Sequence, residues 1–363
     1  MNDERYMKAA LRLAVKGRGY VSPNPMVGAV IVYDGQIVGK GYHKKAGLPH
    51  AEINALKESG EAAKGATLYV NLEPCNHQGK TPPCTDKIIE AGISKVVVAM
   101  EDPNPLNSGE GFRRLKSAGI NVKTSILENE ARQLNEAFIK FIKTGEPFIT
   151  AKIAMSLDGK IATRTGESKW ITGIKARKYV QKLRSEVDAI LVGINTIIKD
   201  DPGLKAGNRK EKPIRIILDS QARIPLKARV LTGRPKTMIA ITKYATISKI
   251  NELKKTGAEV LITGEKGGKI DLKELMKKLG KLGVTSLLLE GGGEVLSSAL
   301  SARVVDKALF FIAPKIIGGR DAPTTVGGEG IKSISEAVSL KRIKVRRFEE
   351  DVLIEGYCVY RVD

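Results

Sequence analysis

Apolar positions along the chain recur in two ways, every third or fourth residue or every second, and stretches of the two kinds take turns. Over 6–16 the helical spacing predicts an amphipathic helix. Two Val- and Ile-rich runs follow, 28–33 and 36–41, joined by Asp34-Gly35, a strong two-residue hairpin signal. Helical patterns over 51–59, 84–91, 110–118 and 128–143 then alternate with strand patterns over 67–71, 95–100 and 120–125, which predicts an α/β sandwich with one hairpin. At Thr144-Gly145-Glu146-Pro147 glycine ends the last helix and proline prevents its continuation, so a domain boundary is placed at residue 146, giving domains 1–146 and 147–363. The second region opens with a strand over 148–154 and continues with strands over 189–192, 214–218, 237–241, 259–262, 286–289, 307–312 and 352–362, a second α/β domain. Segments 206–212 and 264–269 read as mobile basic loops.

A chain of 363 residues accommodates two domains of about 100–200 residues, each able to bury a core. Apolar stretches such as 29–33 and 287–289 fall far short of the ~20 residues of a membrane span, so no membrane association is expected. The first residues mix both signs of charge and lack the apolar core of a signal peptide, which predicts a cytoplasmic protein. Three cysteines cannot build a disulfide framework; Cys75 and Cys84 lie close together, and metal binding is the better use of them.

The rarest residue type gives the sharpest clue, because all three histidines, His43, His50 and His77, fall within 35 residues that also hold Cys75. His50-Ala51-Glu52 opens a helical pattern, Pro74-Cys75 follows the strand at 67–71, and Cys84 sits behind Pro82-Pro83, where proline favours a first helical turn. One histidine and two cysteines supply the three protein ligands of a catalytic Zn2+ site, leaving the fourth position to water, whose pKa falls toward about 7. Glu52 can sit near that water without binding the metal and shuttle protons. The order H-x-E…P-C…C is the zinc nucleobase-deaminase signature, with eight residues between the cysteines where two are usual. The competing reading is a structural zinc site or buried free cysteines. The lengthened loop carries His77 and Lys80, where a lysine is ordinarily just solvated.

In the second region polar residues crowd the ends of strands: Lys152, Ser156 and Asp158, then Ser168 to Thr172, Arg184, Thr196 and Asp200-Asp201-Pro202-Gly203-Leu204. Ligands of open α/β sheets bind outside the carboxyl ends of strands, so this placement suits a cofactor cleft. Trp170, the single tryptophan, either packs on a cofactor ring or belongs to the core. Leu289-Glu290-Gly291-Gly292-Gly293-Glu294 runs from strand through glycines into a helix; without Cβ atoms a pyrophosphate can approach the backbone, though the same turn also serves as a plain strand-helix connection.

The run 74–84, Pro-Cys-Asn-His-Gln-Gly-Lys-Thr-Pro-Pro-Cys, resembles the PCxHxGxTPPC pattern of the bifunctional riboflavin-biosynthesis deaminase-reductases. Pro23-Asn24-Pro25-Met26-Val27-Gly28 fits too, and the likeness runs through both domains. It implies a cytidine-deaminase-like α/β/α sandwich followed by a dihydrofolate-reductase-like α/β domain. It also implies two reactions: deamination of 2,5-diamino-6-(5-phosphoribosylamino)pyrimidin-4-one, then NADPH reduction of the ribosyl to the ribityl side chain. The resemblance assigns deaminase substrate contacts to Asn24, His43, His77, Lys80, Asp102 and Asn104. Cofactor contacts carry over to Ala154, Trp170, Thr196, Asp200, Ser220 and the turn Gly292, Gly293, Glu294, Val295, Leu296, Ser297 and Ser298. Reductase substrate contacts carry over to Lys152, Ser168, Arg184, Leu204 and Glu290, with Lys152 and Glu290 as the pair that orients and polarises the reacting carbon. One position departs from the family: Gly207 stands where an arginine is expected, and Arg209 or Lys205 is the replacement the sequence offers.

The formal charge of +21 invites a rival reading, a nucleic-acid (tRNA) base deaminase with an appended basic domain, or a zinc-stabilised RNA-binding module. The excess lies mainly beyond residue 150, since residues 1–150 carry 20 basic against 16 acidic residues, away from the zinc motif. A small-molecule pyrimidine ribosyl phosphate, no nucleic acid and a homo-oligomer (dimer or tetramer) are therefore expected.

Overall fold

The computed structural model describes residues 2–78, 82–207, 213–233 and 235–361. The chain divides into two compact units, Met1–Gly145 and Glu146–Asp363. The first holds α1 (Asn2–Ala14), β1 (Gly28–Tyr33), β2 (Gln36–Tyr42), α2 (Ala51–Ser59), β3 (Thr67–Val70), α3 (Cys84–Glu90), β4 (Lys95–Val98), α4 (Glu110–Ser117), β5 (Asn121–Lys123), α5 (Glu128–Leu134) and α6 (Glu136–Thr144). Its strands lie in the order β2-β1-β3-β4-β5. Pairing is antiparallel across β2, β1 and β3 and parallel from β3 to β5.

Strands β1, β3 and β4 are almost wholly buried because helices cover both faces, which is why they read as unbroken apolar runs. Glycines set how closely the helices approach. A Cβ on Gly41 would lie 2.1 Å from the carbonyl oxygen of Ala51, and one on Gly28 would lie 2.1 Å from that of Ala10. Helix α2 therefore rests directly on the backbone of β2 and α1 on that of β1, and the start of α2 is fixed against the sheet.

The helix predicted over 128–143 is two helices, because Asn135 interrupts it with φ −104° and ψ 22°. Its buried amide accepts from Met26 N at 2.8 Å and donates to Met26 O at 3.1 Å. Asn71 clamps the same segment, accepting from Gly28 N at 2.8 Å and donating to Met26 O at 3.0 Å. Two distant asparagines thus hold the loop that carries Asn24.

The second unit comprises β6 (Phe148–Ser156), α7 (Ile174–Glu186), β7 (Ala189–Gly193), α8 (Ile194–Asp200), β8 (Ile214–Leu218), β9 (Thr237–Ile241), α9 (Ile247–Lys255), β10 (Glu259–Ile262), β11 (Glu265–Lys266), β12 (Lys269–Ile270), α10 (Leu272–Lys281), β13 (Ser286–Leu289), α11 (Gly293–Ser301), β14 (Lys307–Ala313), β15 (Ser339–Phe348) and β16 (Asp351–Val359). Nine strands form one sheet in the order β10-β9-β8-β7-β13-β6-β14-β16-β15, parallel as far as β14 and antiparallel beyond. Helices on both faces give the strand-by-strand apolar runs their partners.

Two expectations fail here for local reasons. The segment 264–269 is not a loop throughout: β11 and β12 pair across Gly267-Gly268, both with positive φ, which suits a tight two-residue hairpin. Strand β15 was hidden because a bulge between Lys341 and Lys344 breaks its alternation, and almost all of it is exposed at the sheet's edge. Residues 208–212, the rest of the other expected basic loop, lie outside the described residues. Among the described residues no helix is long and apolar enough to cross a membrane.

Candidate active sites

In the first unit the starts of two helices converge. His50 is the N-cap of α2, Cys84 is the first residue of α3, and Cys75 lies in the loop after β3. The ligand atoms of His50, Cys75 and Cys84 all fall within 4.8 Å of one another. His50 Nδ1 is 3.2 Å from Cys84 Sγ and 3.6 Å from Cys75 Sγ. A tetrahedral zinc with Zn–S of about 2.3 Å and Zn–N of about 2.0 Å needs this spacing. The Cys75 thiol is pulled down to about 4 by the hydrogen bond from Cys84, against the cost of burial, with His50 adding to the effect. The hydrogen bond to Cys75, with burial adding to it, pushes the Cys84 thiol up, so the thiolate sits on Cys75, where it suits a divalent cation.

Glu52, in the first turn of α2, is 3% exposed, and its Oε2 has no hydrogen-bond partner. Burial pushes its carboxyl up to about 7, partly opposed by His50. A buried orphan carboxylate oxygen beside three atoms able to ligate a metal fits a site whose fourth position would hold water.

The surroundings are built from buried polar residues. His43 Nδ1 donates to Pro49 O at 3.2 Å, so Nε2 is left to accept from the Asn24 amide at 3.1 Å. Burial lowers the His43 pKa, which agrees with a neutral ring, and that ring stands edge-on to His50 at 5.4 Å. Asp102 accepts from Asn104 N at 2.9 Å and from the Asn107 amide at 3.2 Å. Burial nonetheless raises its carboxyl. Asn104 Oδ1 accepts from Leu106 N at 3.1 Å, an Asx turn, so local turn chemistry and site geometry coincide there. His77 is exposed, and its charge acts on Asp102. Lys80 lies outside the described residues.

Sequence reasoning missed Glu73 and Asn107. The buried Glu73 carboxylate gathers four backbone N–H groups, of Asp102 (3.0 Å), Gly109 (3.1 Å), Gly111 (2.9 Å) and Phe112 (3.3 Å). Asn107 accepts from Asn76 N at 2.8 Å, tying the Cys75 loop to the Asp102 loop. The available signal was an acidic residue immediately before Pro74-Cys75 at the end of a buried strand.

In the second unit a cavity of about 920 Å3 opens at the carboxyl ends of β6, β7, β8 and β13. Ala154, Ser168, Trp170, Arg184, Thr196, Asp200, Leu204, Ser220, Glu290, Gly292, Gly293, Glu294, Val295 and Ser298 line it, as does Lys152. Leu296 and Ser297 do not: Leu296 is buried in the core as α11 turns its apolar face to the sheet, and Ser297 faces Gly328. Trp170 is 62% exposed, so the core reading is excluded; Arg177, on α7, lies 4.4 Å from its ring centroid and also lines the cavity. The space where a Gly292 side chain would stand is open, at the start of α11, which fits a dinucleotide's pyrophosphate.

Burial lowers the Lys152 pKa, Glu290 partly restores it, and Arg184 opposes. For Glu290 burial acts upward, but the Arg184 hydrogen bonds and the two nearby cations outweigh it and hold the carboxyl below its usual range. Ser168 Oγ reaches Asp200 at 3.4 Å.

Three clustered residues able to hold zinc beside a buried glutamate in one unit, and an open cleft at the carboxyl ends of a parallel sheet in the other, suit a zinc deaminase joined to a nicotinamide-dependent reductase. Family models agree: residues 1–100 match the cytidine and deoxycytidylate deaminase zinc-binding region, and residues 147–354 match the RibD C-terminal domain. The chain is 50% identical to the riboflavin biosynthesis protein RibD of Aquifex aeolicus over 354 residues, 97% of each chain. It is 42% identical to that of Escherichia coli, covering 98% of this chain and 99% of the relative. The solved structure of Acinetobacter baumannii RibD superimposes with a TM-score of 0.89 at 38% identity, covering 99% of both chains. A Thermotoga maritima structure, described as a diaminohydroxyphosphoribosylaminopyrimidine deaminase/5-amino-6-(5-phosphoribosylamino)uracil reductase, does so with 0.87 at 35% identity, again over 99% of both. The chain belongs to the RibD family, the bifunctional deaminase-reductases of riboflavin biosynthesis.

Proposed function

We propose that the first unit deaminates the diaminopyrimidinone ribosyl phosphate and the second reduces the ribosyl side chain of the product, with the residue roles that follow. The observation that carries the first half is the unpartnered, buried Oε2 of Glu52 beside His50, Cys75 and Cys84. These three residues would hold the zinc, which when bound makes water a nucleophile near neutral pH. Glu52 accepts a proton from that water and passes protons to the ring nitrogen and to the departing amine. The C–NH2 bond breaks, a ring carbonyl forms, and ammonia leaves. Asn24 and His43, and the Asp102–Asn104 turn with His77 and Lys80, would orient the ring and its ribose phosphate.

In the second unit bound NADPH would supply a hydride to C1′ of the opened imine, and the imine nitrogen takes up a proton as it becomes the amine. The start of α11 with Ala154, Trp170, Thr196, Asp200 and Ser220 would hold the cofactor, and Ser168, Arg184 and Leu204 the substrate. Lys152 and Glu290 flank the reacting carbon: the ammonium of Lys152 polarises it while Glu290, held by Arg184, keeps that ammonium charged.

The protein acts, in this reading, as a cytoplasmic homo-oligomer on a small molecule and not on nucleic acid; light scattering and an RNA-binding titration at physiological salt test those parts. The central experiment supplies the diaminopyrimidinone phosphate with and without NADPH and weighs the products. A deaminated ribosyl compound without cofactor and a ribityl compound with it is the expected outcome; ammonia release or NADPH oxidation failing to occur would remove the corresponding half.

A further inference from the structure

Glu73 and Asn107 stand apart from the three clustered metal-ligating residues, and both are buried. The Glu73 carboxylate shares its four N–H donors evenly: Oε2 accepts from Asp102 N at 3.0 Å and Gly109 N at 3.1 Å, and Oε1 from Gly111 N at 2.9 Å and Phe112 N at 3.3 Å. Oε2 thereby closes the loop 102–109 on itself, and Oε1 fastens the first turn of α4 beside it. Asn107, 0% exposed, makes the return tie. Its Nδ2 donates to Asp102 Oδ2 at 3.2 Å, and its Oδ1 accepts from Asn76 N at 2.8 Å, next to Cys75. Asn76 Oδ1 in turn accepts from Thr85 Oγ1 at 2.8 Å, in the helix that Cys84 opens. The backbone leaves little slack. A Cβ on Gly111 would lie 2.2 Å from Pro74 O and 3.1 Å from Glu73 Oε1, so the start of α4 rests against the residue that precedes Cys75.

We infer that Glu73 and Asn107 are positioning residues for the deamination, holding the Asp102–Asn104 turn in register with the metal-ligating loop so that substrate is bound where the chemistry takes place. This rests on the deaminase reading above, in which that turn orients the substrate. Asp102 does not set its own orientation: Asn104 N occupies its Oδ1 at 2.9 Å and Asn107 its Oδ2. Its backbone is fixed by Glu73, its carboxylate by Asn107. The demand at position 73 is for a carboxylate and not merely for a polar side chain of that size. An ionised carboxylate offers about four acceptor sites, whereas an amide of the same shape offers about two and turns its NH2 group toward the remaining donors. A buried N–H that loses its acceptor is costly, so the loop shifts to find another partner. The metal-ligating residues keep their own contacts when it does. The loss therefore falls on substrate binding.

The test uses the full-length, zinc-loaded enzyme and follows ammonia release against the concentration of the diaminopyrimidinone ribosyl phosphate. Zinc content and NADPH oxidation on pre-deaminated substrate are measured on the same preparations. Glu73→Gln and Asn107→Ala should each raise the KM by about tenfold, the worth of one charge-assisted hydrogen bond, and leave kcat nearly unchanged. Zinc content and NADPH oxidation should stay at wild-type levels. Asp102→Asn should raise the same KM, and combining it with either variant should raise KM no further, because residues that act through one another are not additive. Effects that multiply in the combined variants would mean that the residues act separately, which overturns the inference. An unchanged KM in both single variants overturns it as well. Zinc lost along with ammonia release in either variant would make that residue a support of the metal loop and overturn the inference for it. Wild-type enzyme that releases no ammonia would instead strike the deaminase reading on which the inference rests.

Discussion

The Arg184 guanidinium meets both carboxylate oxygens of Glu290, Nε at 2.6 Å and Nη2 at 2.7 Å, across 106 positions of sequence. The pair joins α7 to the end of β13 and is mostly buried. Removing one partner strands the other's charge, which costs about 3–5 kcal/mol where a pair is fully buried. Arg184→Ala is expected to lower unfolding stability by about 3 kcal/mol, read by urea denaturation. Glu290→Gln keeps the volume and hydrogen-bonding capacity at that position, so the loss should be smaller, but NADPH oxidation should fall at least 100-fold. Equal stability losses with unchanged turnover would contradict the placement of the pair beside the reacting carbon.

Lys152 gives the reductase a pH dependence with a definite sign. Burial lowers its pKa below that of an ordinary lysine, and Glu290 partly opposes this. With the ammonium as the active form, turnover is full at low pH and is lost as pH rises through that depressed value. In Glu290→Gln the opposing carboxylate is gone while Arg184 stays cationic, so the alkaline limb should move to still lower pH. Single-turnover NADPH oxidation across the neutral and alkaline range measures it; a limb that moves to higher pH in the variant would reverse the assignment.

What could be read in the sequence was local. His50, Cys75 and Cys84 stand at helix starts or next to prolines, punctuation that survives in one dimension, and the structure brings the three together. The alternation of periods likewise carried both α/β domains. Asn71, Asn107 and Asn135 could not be read, because each finds its partners among backbone amides and carbonyls of distant loops and leaves no period. The break at Asn135 and the bulge in β15 are the same failure: a backbone feature set by tertiary contacts interrupts a pattern without changing composition.

A substitution at Glu52 would separate metal binding from the proposed proton transfer. Its carboxylate is not one of the three clustered ligands, and replacing it with the neutral isostere leaves His50, Cys75 and Cys84 intact. Glu52→Gln should therefore retain one zinc per chain by atomic emission while ammonia release drops by about 100- to 10,000-fold, the usual worth of a positioned acid-base group. NADPH oxidation on pre-deaminated substrate should continue. Retained deamination would refute the role, and loss of zinc would show that Glu52 supports the metal instead.

Gly41 tests whether the fit of helix on sheet is what places the deaminase chemistry. A Cβ there would meet Ala51 O at 2.1 Å, Ala55 N at 2.5 Å and Asn54 Cβ at 2.9 Å, and two of these three atoms are backbone that no rotamer change can move. Helix α2 must lift from β2, and His50, its N-cap, and Glu52, in its first turn, must move with it. Gly41→Ala should cost about 1–3 kcal/mol of stability, the range for overpacking a tight contact. Because a displacement of about 1 Å can remove most of the benefit of a positioned catalytic group, ammonia release should fall by roughly 100-fold. Zinc affinity, measured by competition with a chromogenic chelator, should fall as well, since one of three ligands is displaced. NADPH oxidation by the same preparation should remain, which distinguishes a shifted helix from a protein that fails to fold. Wild-type zinc affinity together with wild-type deamination in Gly41→Ala would mean that α2 accommodates the methyl group elsewhere and that the close contact does not position the site.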